Sequence, residues 1–376
     1  MKNVVILGST GTIGKNTLEV IRRQRDKFNV LCLACKKNKN LLLKQIEEFN
    51  PRYVYIEEKD DDFVRKFKKI KFFYGKEGLI EIVNLKEGDI FIFAIPGINT
   101  LPAFIDCIKN RKTIALATKE ILVSGGQIIE ELKKEYNFEI LPIDSEHNAI
   151  FQIFKNENKN IKKIYLTASG GPLYKKKKRS LNLKEALNHP IWKMGKKITI
   201  DSATMMNKAF EIIEAHYLFS LSEEQIDVII HPEAIIHGMV EFIDGTIKCV
   251  SFLPDMKFPI NYVLNYPDRV DIKLNKIDFG KIEHLNFKKV NQKSKWLNLA
   301  KEAIRKKGSY PVVLNGANER IVEFFLEKRI KFYNIINMIE KVIEQHPYKS
   351  KLNIEDIFYY HNWARREVEK IIGEEK

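Results

Sequence analysis

No apolar run in this 376-residue chain approaches the roughly 18–20 residues a membrane-spanning helix needs; the segment Ile90–Ile98 is strand-sized. Cysteine is scarce, with Cys32, Cys35, Cys107 and Cys249 far too few for a disulfide scaffold, so a reducing compartment is expected. The chain lacks a leader-like stretch: Met1–Leu7 runs straight into a strand and a glycine-rich turn, which makes a cytoplasmic location the expectation. There is no H-E-x-x-H and no second Cys pair, so the usual zinc patterns are missing. Cys32 and Cys35 are spaced as C-x-x-C but lie within a strand, where positions three apart face opposite sides, so a redox pair is not read there. Helix-turn-helix, zinc-finger and RNA-recognition signatures are absent, which argues against nucleic acid as a partner. With 44% hydrophobic and 30% charged residues, a disordered or collagen-like chain is excluded.

What is abundant is positive charge. The net charge is +15, and residues 155–197 carry 13 Lys/Arg against 2 Asp/Glu. The Lys175–Arg179 run fits a solvated surface; the wider segment fits a basic loop that draws in an anion. The length suggests two or three domains. Up to about residue 145, short apolar strands (Asn3–Leu7, Asn29–Ala34, Tyr53–Glu57, Lys71–Tyr74, Ile90–Ile95, Thr113–Ala117, Glu139–Ile143) alternate with helical patterns such as Lys15–Arg25, Leu41–Phe49, Leu101–Asn110 and Gly126–Tyr136. That rhythm predicts an α/β, Rossmann-like domain over 1–144. Residues 145–265 read as an α+β catalytic domain: a helix from near His147, a strand at Lys163–Ala168, a helix near Ala203–Phe219, then strands grouped as an antiparallel sheet. A polar linker is expected over 266–291 and a C-terminal helical bundle over 292–376.

Gly8-Ser9-Thr10-Gly11-Thr12-Ile13-Gly14 follows the first strand and opens a helix. Glycines there allow a tight turn, and the helix N-terminus offers free N–H groups to a pyrophosphate. The second strand ends in Cys35-Lys36-Lys37-Asn38, without the acid an NAD site places there. A carboxylate repels a 2′-phosphate and lysines attract it, which points to NADP(H); two surface lysines are the alternative.

Asp144-Ser145-Glu146-His147 ends the last strand of this domain, either as a pair of carboxylates converging on a cation or as a polar helix cap. After Asp201, Ser202 is a plausible N-cap. In the helix that follows, Met206, Phe210, Ile213 and Tyr217 form an apolar stripe. Asn207, Lys208 and Glu211 point the other way, as an anion-binding face or as an ordinary solvated one. Asp144, Glu146 and Glu211 together would suit Mg²⁺ or Mn²⁺.

Taken in chain order, these segments resemble the 1-deoxy-D-xylulose 5-phosphate reductoisomerases over nearly the whole sequence. Besides the glycine turn, the resemblance is carried by Ala117-Thr118-Lys119-Glu120, Asp144–Gln152, Ala168-Ser169-Gly170-Gly171-Pro172, His189–Gly195, Asp201–Lys208, His231-Pro232 with His237, Pro254-Asp255-Met256 and Asn315–Glu319. It implies a homodimer that uses NADPH and a divalent cation to convert the sugar phosphate into 2-C-methyl-D-erythritol 4-phosphate. The reaction is a retro-aldol/aldol isomerisation and a reduction, and it belongs to non-mevalonate isoprenoid synthesis.

By resemblance the metal ligands are Asp144, Glu146 and Glu211. Ser169, Ser202, Asn207 and Lys208 fall in the phosphate region. Lys119, Ser145, Glu146, His189 and Glu211 surround the reacting carbons. Thr10, Gly11, Thr12, Ile13, Lys36, Lys37, Asn38, Thr118, Glu120 and Gly195 contact NADPH. A lid over about 169–197 carries Trp192 and Met194 across the substrate. The chain departs from the family at Thr118 (usually Asn), Lys36 (usually Gly), Ala234 (usually Ser), and at Pro96 and Thr100 in a segment usually richer in small residues. An aspartate-semialdehyde-type dehydrogenase is the nearest other enzyme, but its nucleophilic Cys has no counterpart: Cys249 falls in a strand.

Overall fold

The computed structural model describes residues 1–155, 157, 159–172, 181–192 and 194–374. In chain order the elements are β1 (Lys2–Leu7), α1 (Thr12–Arg22), β2 (Phe28–Cys35), α2 (Lys39–Phe49), β3 (Tyr53–Ile56), α3 (Asp61–Val64), β4 (Lys71–Tyr74), α4 (Gly75–Val83), β5 (Ile90–Phe93), α5 (Leu101–Lys109), β6 (Thr113–Leu116), α6 (Lys119–Glu135), β7 (Ile140–Pro142) and α7 (Ser145–Phe154). They continue with β8 (Ile161–Ala168), α8 (Leu183–Ala186), α9 (Lys196–Thr204), α10 (Met206–Phe219), β9 (Ile226–Ile230), β10 (Ile236–Phe242), β11 (Ile247–Ser251), α11 (Lys257–Asn265), β12 (Lys288–Lys289), α12 (Lys295–Lys306), α13 (Ser309–Leu326), α14 (Asn334–Gln345) and α15 (Ile354–Glu374).

The chain divides into two units. The first contains Met1–Thr118, Glu131–Asn148 and Asp255–Asn275. Its seven-stranded sheet has the order β4-β3-β2-β1-β5-β6-β7, and every neighbouring pair is parallel. Strands covered on both faces read as unbroken apolar runs, and Ile90-Phe91-Ile92-Phe93 of β5 is buried throughout. The order reverses between β1 and β5, so a crevice opens at their carboxyl ends, where α/β sheets bind ligands. Helix α11 packs on α1, with Gln24 Nε2 donating to Asn261 Oδ1 at 2.9 Å and Arg23 Nη1 to the Ile272 carbonyl at 3.0 Å.

The second unit contains Lys119–Glu130, Ala149–Pro254 and Lys276–Lys376. Its sheet has the order β11-β10-β8-β9-β12 and is mixed, because β8 and β9 pair in parallel while the other pairs are antiparallel. The sequence suggested an antiparallel sheet. The stretch with α8, α9 and α10 between β8 and β9 is a crossover connection, and such a connection returns the chain in the same direction. The edge strand β12, expected to be linker, pairs with β9. Helices α12–α15 follow, with α13 and α15 in close approach at Gly316, where a Cβ would lie 2.6 Å from the His361 carbonyl oxygen.

Two helices differ from their expected spans. α6 starts at Lys119 rather than near Gly126, so Gly125-Gly126 does not break it. The expected single helix near Ala203–Phe219 is α9 and α10, divided at Met205, whose backbone is left-handed (φ 66°).

Gly126 lies against Tyr217, and an added Cβ would stand 2.2 Å from the ring. Helix propensity alone would make alanine better by about 1 kcal/mol, while overpacking costs typically 1–3 kcal/mol. The steric cost wins, so Gly126→Ala lowers the unfolding temperature in a thermal scan. An unchanged or higher temperature would show that Tyr217 moves aside freely.

Candidate active site

The turn after β1 is closed by two glycine contacts. Gly8 has φ +102°, and a Cβ on it would lie 2.6 Å from the Ala94 carbonyl oxygen at the end of β5. A Cβ on Gly14 would lie 2.3 Å from the Gly8 oxygen and 2.4 Å from the Ser9 Cα. These positions bring the first turn of α1 onto the end of β1. Gly11 caps α1 with no side-chain bond, so the first turn, with Thr12 and Ile13, presents backbone N–H groups. Thr10 Oγ1 meets Cys35 Sγ at 3.3 Å, joining the turn to the end of β2. The crevice and glycine cradle fit a dinucleotide.

Beyond β2, Lys36, Lys37 and Asn38 are exposed. Lys36 pairs with Glu57 at 2.9 Å, and Asn38 caps α2 by accepting the Leu41 N–H at 3.1 Å. Thr118 is buried, and its hydroxyl lies 2.9 Å from the Ile95 carbonyl and 3.3 Å from that of Phe93. It ties the end of β6 to the end of β5.

At the end of β7, Asp144–His147 form the polar helix start that one of the two sequence readings expects. Asp144 Oδ1 accepts the Glu146 N–H at 3.3 Å, as a cap does, and faces His147 Nδ1 at 3.1 Å. Ser145 Oγ donates to Glu146 Oε2 at 2.5 Å, and Asn148 Nδ2 donates to the Pro142 carbonyl at 2.9 Å. The two carboxylates sit two residues apart at a carboxyl strand end, all-oxygen donors of the kind a hard divalent cation takes.

In the second unit, Glu211 on α10 is buried at 1% side-chain exposure. Asn207 Nδ2 donates to its Oε1 at 2.5 Å, Lys208 pairs with its Oε2, and Lys119 of α6 lies 3.8 Å from Oε1. Lys208 Nζ also donates to the Thr167 carbonyl at 2.6 Å. The expected solvated alternative for this helix face is overturned: Lys208 and Glu211 are as buried as the apolar stripe. Ser202 is not an N-cap but lies in the last turn of α9, and Met205 is the N-cap of α10. The break carries the chain past Ser202 and into Asn207 and Lys208 within one bend.

Ser169 and His189 meet at 3.3 Å through Oγ and Nε2. His189 Nδ1 accepts the backbone N–H groups of Trp192 (2.9 Å) and Ile191 (3.2 Å), which assigns the ring proton to Nε2. Trp192 approaches His237 edge-on at 6.2 Å, and His237 stacks on Phe252 at 3.8 Å. Met194 and Gly195 lead into α9, with Gly195 as its N-cap. The Lys175–Arg179 run, the rest of 173–180 and Lys193, all within the expected lid, lie outside the described residues.

Glu120 has a partner that the sequence did not reveal: Lys197 Nζ donates to its Oε1 at 3.0 Å. Lys197 also meets Asp201 Oδ2 at 3.1 Å, and Asn318 Nδ2 donates to Asp201 Oδ1 at 2.8 Å. Two signals for this cluster were available: the i, i+4 spacing of Lys197 and Asp201, and a Lys-Lys pair opening a helix against its dipole.

Comparison with known proteins gives one answer. Residues 4–126 match the family described as 1-deoxy-D-xylulose 5-phosphate reductoisomerase, residues 140–219 its C-terminal domain, and residues 253–367 the DXP reductoisomerase C-terminal domain. The 1-deoxy-D-xylulose 5-phosphate reductoisomerase of Thermodesulfovibrio yellowstonii is 48% identical, with 100% of each chain covered. A crystal structure of a DOX-P reductoisomerase with NADPH, fosmidomycin and magnesium superposes with TM-score 0.91 at 35% identity, covering 99% of this chain and 98% of that one. The Zymomonas mobilis enzyme with NADPH gives 0.90 at 34% identity, covering 99% of each chain.

Burial holds the His189 imidazole pKa below its ordinary 6.5. Protonating Nδ1 would also break two backbone bonds. With the folded value lowered, the stability this ring lends is complete above pH 6.5 and falls as pH drops through the folded value. Nitrogen-15 NMR of the ring should therefore show a neutral Nε2–H tautomer at pH 6.5. A doubly protonated ring at that pH would disprove the assignment.

Proposed function

The chain belongs to the 1-deoxy-D-xylulose 5-phosphate reductoisomerase family, and from that premise we propose how its own residues carry out the reaction. The protein converts 1-deoxy-D-xylulose 5-phosphate to 2-C-methyl-D-erythritol 4-phosphate with NADPH and a divalent cation, Mg²⁺ or Mn²⁺, in the non-mevalonate isoprenoid pathway. When bound, the cation supplies Lewis-acid polarisation of the substrate oxygens and NADPH supplies the hydride.

The observation that carries the residue-level reading is the buried Glu211 carboxylate between Lys119, Asn207 and Lys208. Asp144, Glu146 and Glu211 hold the cation. Lys208, Asn207, Ser202 and Ser169 hold the phosphate, with Lys208 fixed in direction by the Thr167 carbonyl. That anchor binds the substrate at a distance from the reacting carbons, which lets binding energy serve orientation. Lys119 and Ser145 orient the hydroxyls of the carbon chain. His189, kept neutral and donating through Nε2, holds Ser169 or a substrate oxygen without bringing a charge. Trp192 and Met194 cover the substrate and exclude water.

Thr10, Gly11, Thr12 and Ile13 cradle the pyrophosphate of NADPH. Lys36, Lys37 and Asn38 face its adenosine end, where Lys36 exchanges its pair with Glu57 for the 2′-phosphate. Thr118, Glu120 and Gly195 lie toward the nicotinamide half. We assign the cofactor role to residues 1–144, catalysis and dimerisation to 145–265, and a supporting helical role to 292–376, joined by 266–291.

Substrate-dependent oxidation of NADPH at 340 nm tests the site. EDTA should stop it, and Glu211→Gln should reduce turnover by about a hundredfold or more while NADPH still binds. Retained turnover would remove Glu211 from the ligand set. In the same assay, Lys36→Ala with Lys37→Ala should erode the preference for NADPH over NADH; an intact preference would reject their role.

We further propose a homodimer built on β11. This edge strand of the sheet is exposed at Ile247, Lys248 and Cys249, and Ile243 beside it is 68% exposed. Bare edges with apolar side chains favour pairing. Light scattering should give twice the 44.0 kDa chain mass, and Ile247→Lys should shift it toward one chain; a monomeric parent overturns the proposal. We also propose a cytoplasmic location, with Cys32, Cys35 and Cys107 free and buried as a reducing compartment keeps them, and cell fractionation as its check; among the described residues no helix is long and apolar enough to cross a membrane.

A further inference from the structure

Lys197 occupies the second position of α9, a helix whose first turn contains no acid. Positive charge there opposes the helix dipole. A residue kept at the expense of its own helix points to a role elsewhere. Its ammonium lies between two carboxylates on different elements, Asp201 of α9 at 3.1 Å and Glu120 of α6 at 3.0 Å, and 5.5 Å from the Phe210 ring centre on α10. Asp201 is itself held by Asn318 of α13 at 2.8 Å. The i, i+4 partner Asp201 would suffice to neutralise the lysine; the reach to Glu120 joins two helices.

Those two helices begin at notable places. α9 starts directly after Gly195, at the end of the Trp192–Gly195 stretch. α6 starts with Lys119, which meets Glu211 at 3.8 Å, and Glu120 is the next residue. We propose that Lys197 is a positioning residue for the reductoisomerase reaction, holding Glu120 in its cofactor-facing direction and, through the same helical turn, Lys119 beside Glu211. The inference rests on the reading above that Glu120 contacts NADPH. It makes α9 the member that couples Gly195, its N-cap, to the geometry at the start of α6.

Electrostatics agree with this arrangement. Burial works against the charge on Lys197, yet Asp201 and Glu120 raise its pKa above the ordinary lysine value. Burial likewise raises a carboxyl pKa, and at Glu120 the charge of Lys197 together with a backbone hydrogen bond more than reverses this, so its pKa is lowered. At Asp201 burial prevails and the pKa is raised, although Lys197 and the Asn318 amide act against it. Glu319, bonded to His361 at 3.0 Å and near Arg365, adds negative charge at the α13 side.

The test uses the full-length protein with Lys197→Met, Glu120→Gln and the double variant. The NADPH dissociation constant is read by fluorescence titration, kcat and KM in the 340 nm assay, and stability by thermal scan. Positioning predicts that each single change weakens NADPH binding by roughly tenfold and lowers kcat by ten- to a hundredfold, with the double variant no worse than the worse single one. Lys197→Arg should recover most of the affinity. Should Lys197→Met fail to fold, Lys197→Gln, which still donates to one carboxylate, takes its place.

A merely structural lysine would lower the melting temperature and leave the dissociation constant and kcat per folded molecule unchanged; that result overturns the proposal, as does simple additivity in the double variant. If Glu120→Gln weakens NADPH binding and Lys197→Met does not, only the positioning role falls. If Glu120→Gln binds NADPH normally, the cofactor contact of Glu120 falls, and this proposal with it.

Discussion

A carboxylate removed from water must be compensated, and at Glu211 that requirement organises everything around it. Desolvating one ion costs several kcal/mol, more than a single surface-type pair returns. Glu211 at 1% exposure is compensated by Lys208 at 5% and Lys119 at 8%, with the amide of Asn207 as a further donor. Both Glu211 oxygens are thereby engaged, Oε1 by Asn207 and Oε2 by Lys208. The break at Met205 is what lets this happen. It turns the chain so that the end of one helix and the start of the next present their polar residues together.

The parallel sheet was legible because strands buried on both faces give unmistakable apolar runs, as at Val4–Leu7 and Ile90–Phe93. The glycine turn was legible because steric demand at Gly8 and Gly14 is a backbone property that few other residues meet. The division of α9 from α10 was not, since nothing in Ala203–Lys208 marks a left-handed residue and methionine is an unusual choice for one. The parallel β8–β9 pairing was hidden for a different reason. Helices lay between those strands, but short strands with alternating burial look the same whichever way their neighbours run. The ligand-like residues of α10 were found by type, yet their burial was not, because periodicity alone cannot tell a solvated face from one covered by Thr167 and Lys119.

Two of the positions read in the sequence as unusual acquire physical meaning in the structure. Thr118 spends its hydroxyl on the backbone carbonyls of Phe93 and Ile95, so it serves the sheet's crevice as a brace. Ala234 has a left-handed backbone (φ 50°) in a turn where its N–H reaches the His231 carbonyl at 3.1 Å and the next N–H reaches His231 Nε2 at 3.2 Å. His231 also stacks on Phe287 at 4.7 Å, and its Nδ1 lies 2.9 Å from the Asn286 carbonyl. That histidine is fully occupied in holding the turn and the segment beside it, which separates it from His189.

Strand β8 has both of its neighbours, β9 and β10, later in the sequence. Its inward residues Ile164 and Leu166 are fully buried in the finished protein. During synthesis these side chains emerge from the ribosome with two bare edges and stay so until Ile230 and then Phe242 have been made. At a translation rate of about 5–20 residues per second, that wait lasts seconds. Helices α8, α9 and α10 are all made in the interval. Non-local pairing of this kind is slow and exposes sticky surface. The crossover that carries α9 and α10 thus leaves β8 with unpaired edges for that interval in the nascent chain.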